Sequence, residues 1–141
     1  MAEIKISELS IGDWVRYDRG TDAVQIMGIY VRNNQECVVM SDSYYPDGVI
    51  GFVWCIKPIP LTPEILEKNG FRKLDRFNEY VIGEWDSNPF IAVRLAEKFV
   101  EPTILVKNGG TSTHLFGSRG VNVHQLQHAL RLAGVEKEIE V

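Results

Sequence analysis

Three prolines within the segment KPIPLTP, Pro58, Pro60 and Pro63, constrain this chain more than any other feature. Proline holds its own φ near −65° and offers no N–H to a ladder, so this stretch cannot be a central strand and must run as an extended connector. What lies on either side of it differs in kind. The chain therefore reads as a single domain in two lobes, 1–58 and 59–141.

Before the prolines, short apolar runs alternate with turn residues. A Gly-Asp turn at Gly12 and Asp13 leads into Trp14, Val15, Arg16 and Tyr17, which alternate as a strand does. DRGTD at 18–22 has turn composition, and AVQIMGIYV at 23–31 is rich in β-branched residues, with Gly28 placed for a bulge. Asn33 and Asn34 form the next turn before ECVVM at 36–40; after the loop SDSYYPDG, VIGFVWCIK at 49–57 reads as a fourth strand. Four short strands joined by tight turns favour a small antiparallel barrel or strongly bent sheet, with the look of an SH3-like barrel.

After the prolines the pattern begins with a helix. Thr62 is a good N-cap, Pro63 takes the first helical position, Glu64 suits the positive helix end, and Asn69-Gly70 supplies the stop. Such a short helix is unstable alone, so Ile65 and Leu66 must dock on a sheet. From 71 to 116 the period is closer to two: EYVIGEW, FIAVRLAEKFV and PTILVK read as strands, with DSNP and NGG as turns. A second helix starts at the Asn122 and Gln125 capping pair, carries Leu126, Ala129, Leu130 and Ala133 on one stripe, and stops at Gly134. EIEV at 138–141 is left as an edge strand or a frayed end. The fold class expected is α+β: an SH3-like β lobe, a short helix, further antiparallel strands and a C-terminal helix.

Composition fits a packed protein, with 45% hydrophobic and 24% charged residues. The N-terminal segment lacks a cationic stretch followed by an apolar run, and no stretch approaches a membrane span, so a cytoplasmic location without membrane partners is expected. Cys37 and Cys55 sit in apolar runs that suit buried thiols better than a disulfide. A net charge of −4 argues against a protein that mainly coats nucleic acid. Charge is uneven, however. Residues 1–60 carry five basic and eight acidic side chains, whereas 102–135 carry Lys107, Arg119, Arg131 and all three histidines with no Asp or Glu.

Four segments in order, Glu8-Leu9-Ser10-Ile11-Gly12-Asp13-Trp14-Val15, Ile59-Pro60-Leu61-Thr62-Pro63-Glu64-Ile65-Leu66, Asn69-Gly70-Phe71 and Val123-His124-Gln125-Leu126-Gln127, carry a resemblance. Together the chain resembles a family of small uncharacterised proteins of phages, prophages and mobile elements of gut anaerobes, with an ELxIGNxV-type start, an IPLTxExLxxxGF centre and a VHxLQNL-type helix. The likeness spans most of the chain and implies a two-lobed fold and a phage or prophage setting. The family has no assigned activity, so it lends no functional residues. Asp13 stands where it usually has Asn, as does His128.

Candidate chemistry is sparse. His124 and His128 are one helical turn apart, as metal ligands on one face would be, but HQLQH lacks a third ligand. On a helical wheel both lie opposite the leucine stripe, which reads as a solvated face, and neither a metal nor another cofactor is expected. NGGTSTHLFGSRG at 108–120 is glycine-rich without a P-loop or GxGxxG spacing and reads as a hairpin. Lys107, His114, Arg119 and Arg131 of the acid-free segment 102–135 would serve a phosphorylated small ligand such as a nucleotide, or a nucleic acid, as the alternative function. No Gly-x-Ser-x-Gly elbow, reactive cysteine or facing carboxylate pair is present. The leading expectation is therefore a non-enzymatic accessory binding protein that contacts another protein, and itself as a homo-oligomer, through exposed aromatics at Trp14, Tyr44 and Tyr45.

Overall fold

Where the sequence places tight turns, strands reverse. The computed structural model describes residues 4–17, 23–76, 78–97, 100–116 and 121–141, and the chain divides into two compact units, Met1–Ile59 and Pro60–Val141. The turn expected at 18–22 lies outside the described residues.

The first unit holds β1 (Trp14–Tyr17), β2 (Ala23–Arg32), β3 (Gln35–Met40), β4 (Val49–Phe52) and β5 (Ile56–Lys57) in one antiparallel sheet of order β4-β3-β2-β1-β5. Asn33 and Asn34 both adopt left-handed backbone, with φ of 51° and 62°, which gives the two-residue hairpin between β2 and β3 the twist the strands need. The β2–β3 register shifts between Ile26 and Gly28, so the bulge falls at the expected glycine. Ile4, Leu9, Val15, Ile26, Val38 and Ile56 form the core of this unit.

The expected single strand over 49–57 is corrected. It breaks into β4, a 3-10 turn at Val53–Cys55 and β5. The reason is topological: β4 pairs with β3 as far as Phe52, while Ile56 pairs with Tyr17 of β1 on the other side of the sheet. One straight strand cannot do both, and the 3-10 turn makes the corner. Among the described residues β4 and β5 remain the two edges of an open sheet, so no closed barrel is formed by hydrogen bonds.

The second unit begins with α1 (Pro63–Lys68), capped by Thr62, whose Oγ1 accepts from the Ile65 N–H at 3.3 Å. It ends as the sequence implies: Gly70, at φ 88°, and Phe71 donate their N–H groups to the carbonyls of Glu67 and Leu66. An antiparallel meander follows: β6 (Arg72–Lys73), β7 (Glu79–Ile82), β8 (Phe90–Arg94), β9 (Thr103–Asn108) and β10 (Thr111–Phe116). Of FIAVRLAEKFV only the first five residues form the strand β8, and 98–99 lie outside the described residues. The glycine-rich stretch at 108–120 is the β9–β10 hairpin as far as Phe116, turning at Gly109 with φ 62°.

α2 (Val123–Leu132) opens on the Asn122 and Gln125 capping box, with the Asn122 N–H donating to Gln125 Oε1 at 2.9 Å. Val123, Leu126, Ala129 and Leu130 are fully buried along it. Asn108 Nδ2 donates to the Ala133 carbonyl just past the helix end, so α2 ends over the sheet face that carries Asn108 and Val106. The C-terminal segment is neither an edge strand nor frayed. Gln127 donates to the Lys137 carbonyl and accepts from the Ile139 N–H, while Asn69 brackets Glu140 in the same way, at 2.7–2.9 Å. Two side chains thus stand in for a neighbouring strand, and Ile139 is buried beneath them.

Candidate functional site

β4 shows how the most exposed apolar surface of the first unit arises. Alternation along a strand sends Ile50 and Phe52 outward and Gly51 inward. A Cβ at Gly51 would sit 2.7 Å from Met40 Cε, the movable end of a flexible side chain, and 3.4 Å from Tyr17 Cε2, so a larger residue there needs Met40 to shift. The 3-10 turn then swings Trp54 out, and its ring stacks on Phe52 with centroids 5.5 Å apart and planes within 8°. Ile50 is 63% exposed, Phe52 42% and Trp54 62%, values that leave much of three large side chains in water.

A cavity of about 210 Å³ opens between these groups, lined by Tyr17, Ile50, Gly51, Phe52, Trp54 and Cys55. A second, of about 380 Å³, shares Tyr17 and Ile50 and extends over Val49 to Asp42. The two form one groove beside β4, and Trp54 also borders a third cavity of about 480 Å³. Asp42 fixes the groove's far rim by accepting the N–H groups of Tyr44 at 2.8 Å and Tyr45 at 3.3 Å, an Asx turn. Tyr44 is 87% and Tyr45 62% exposed, so both stand in solvent as expected. Trp14 does not. It is half-buried on β1, paired with Gln25, and the expectation of an exposed aromatic there is corrected.

The groove is aromatic and apolar with one carboxylate at its end. Among the described residues that line its two cavities there is no lysine, arginine or histidine. Its lining is suited to holding apolar and aromatic side chains. Ile50, Phe52 and Trp54 escaped the sequence reading because an unbroken apolar run looks like a strand buried on both faces. The trace that could have found them is the i, i+2, i+4 spacing of Ile50, Phe52 and Trp54.

The basic candidates of the second unit are dispersed. Lys107 and His114 share one face of the β9–β10 hairpin, since Lys107 follows the Leu105 to which His114 is paired. Lys107 is engaged: its Nζ lies 3.8 Å from the Trp85 ring centroid, and the Trp85 ring in turn meets Phe90 edge-on. Arg131 projects from α2, which ends over the opposite sheet face, and reaches Glu138 at 3.7 Å. Arg119 lies outside the described residues.

The reading of both histidines as a solvated face is also corrected. His124 is buried, 3% exposed, and His128 is half-buried with its ring edge-on to that of His124 at 5.8 Å. The leucine stripe is only part of what α2 buries, because the C-terminal segment packs along Gln127 and covers a second side of the helix. Among the described residues no group of three or more His, Cys, Asp or Glu side chains is placed to hold a metal ion. Cys37 and Cys55 are buried and not bonded to each other. No helix among the described residues is long and apolar enough to cross a membrane.

Comparison of the chain with protein-family models, with curated proteins and with solved structures found no match.

Proposed function

We propose that the protein is a non-enzymatic accessory binding protein of phage or mobile-element type, acting in the cytoplasm by docking another protein in the groove beside β4. The observation that carries this reading is the joint exposure of Tyr44, Tyr45, Ile50, Phe52 and Trp54 along one loop and strand of the first unit. Large aromatic groups left in water around a groove are what partner-binding surfaces are made of. The phage setting rests on the sequence resemblance alone. The finer fold reading, an SH3-like barrel, is supported by the strand order β4-β3-β2-β1-β5 and by the 3-10 turn between β4 and β5. A homo-oligomer belongs to the same reading, with the exposed aromatics as its contact. The phosphate-binding alternative has less support among the described residues, since Lys107 lies against Trp85 and Arg131 against Glu138.

The test is comparative capture from a bacterial lysate by the wild type, by a Phe52→Ala/Trp54→Ala double variant and by Trp85→Ala, with sedimentation velocity on each. A protein retained by the wild type and by Trp85→Ala but lost by the double variant is the expected result. If the double variant keeps its fold and loses no protein, and sediments as the wild type does, the groove is not the docking surface.

A further inference from the structure

Resting on that docking role, the chemistry of the groove narrows what enters it. The 210 Å³ cavity is walled by three aromatic side chains, Tyr17, Phe52 and Trp54, with Phe52 and Trp54 stacked into one π surface. Aromatic faces carry negative charge density and attract a cation held against them. The adjoining cavity ends at the carboxylate of Asp42, exposed and held in place by the Tyr44 and Tyr45 N–H groups. Among the described residues lining both cavities there is no positive side chain, and residues 1–60 carry eight acidic groups against five basic ones.

The second unit shows what the same chemistry looks like when satisfied internally. Trp85, equally exposed at the surface, has the ammonium of Lys107 lying 3.8 Å over its ring. Trp54 has a similar ring; the cavity it shares with Tyr17 and Phe52 receives no cation from its described lining residues, whereas Lys5 lines the separate cavity of about 480 Å³ that Trp54 also borders. We propose that the groove takes an arginine or lysine side chain carried on an extended segment of the partner protein, the cationic head lying against Trp54, Phe52 and Tyr17 and the segment running toward Asp42. A nucleic acid does not fit this surface, because its phosphates would meet Asp42 and find no counter-charge.

The experiment titrates the ¹⁵N-labelled full chain with blocked pentapeptides that have Leu-Arg-Leu, Leu-Lys-Leu, Leu-citrulline-Leu or Leu-norleucine-Leu at their centres. Saturable shifts of the Trp54 indole and the Ile50 and Phe52 amides are expected with the arginine and lysine peptides. Binding should be about tenfold weaker for the citrulline and norleucine peptides, and for Trp54→Ala with the arginine peptide. Asp42→Asn, which keeps both backbone contacts, should weaken the cationic peptides alone and reduce their salt dependence. Trp85→Ala should leave the Trp54 shifts unchanged. Equal binding of neutral and cationic peptides at Trp54 would overturn the inference while leaving the docking role intact. So would shifts confined to Trp85, or none that saturate. Failure of the docking role itself shows separately, as a captured protein that the Phe52→Ala/Trp54→Ala variant retains.

Discussion

Tyr80 and His124 are buried ionisable side chains of the second unit. Burial raises the Tyr80 phenol above its ordinary pKa of 10.0, and the carboxylates of Glu67 and Glu64 push the same way. The unfolded chain then gives up this proton at a lower pH than the folded one, so above pH 10 unfolding is favoured as pH rises. Tyr80→Phe should remove that part of the alkaline loss: measured in urea at pH 9 and pH 11, the variant's midpoint should fall less than the wild type's. An equal fall in both would refute the assignment. His124 differs from His128 by burial. His124→Ala should destabilise by about 1–3 kcal/mol and His128→Ala by less, with Leu126→Ala, which empties a fully buried site, at about 2–5 kcal/mol. Denaturant midpoints in that order are the check, and equal effects of the two histidines would show that the helix face is assigned wrongly.

At the scale of elements, the C-terminal segment is held by hydrogen bonds that no sequence rule anticipates. Asn69 and Gln127 both supply one donor and one acceptor to its backbone, and Lys68 Nζ donates to the Val141 carbonyl at 3.0 Å. Removing Gln127 leaves the buried Ile139 N–H unpaired, which costs about 1–3 kcal/mol, and removing Asn69, whose Glu140 partner is open to water, costs less. Asn69→Ala should speed amide exchange at Glu140, and Gln127→Ala at Ile139, beyond what the global loss of stability explains. If both amides exchange only through global unfolding, the side chains are not what holds the segment. Elements whose signals are local were legible: the Asn33-Asn34 hairpin, the bulge at Gly28, the Thr62 cap and the Gly70 and Gly134 stops are each set by backbone preferences of a few adjacent residues. The strand over 49–57 was misread because its break is imposed by two different partners, the preceding strand β3 and the distant β1.

For the whole molecule, the division follows the prolines. Each side of the connector builds its own antiparallel sheet, and the first unit has a core of its own around Val15, Ile26 and Val38. The candidate groove was half legible. Tyr44 and Tyr45 follow from a polar turn that no core can absorb, so their exposure could be read directly. Trp54 could not, because its exposure depends on a 3-10 corner that exists only since β4 and β5 lie at opposite edges of one sheet. The acid-free segment was legible as composition, yet its cations part company on two faces of a sheet, which no count of charges reveals. The sequence by itself determined the turns, the caps, the helix stops and the α+β class, because these depend on φ preferences and periodicity over short windows. Only the tertiary structure decided which aromatic rings remain in water, which histidine is buried and which side chains bind the C-terminal segment, because these depend on what residues distant in the chain place alongside.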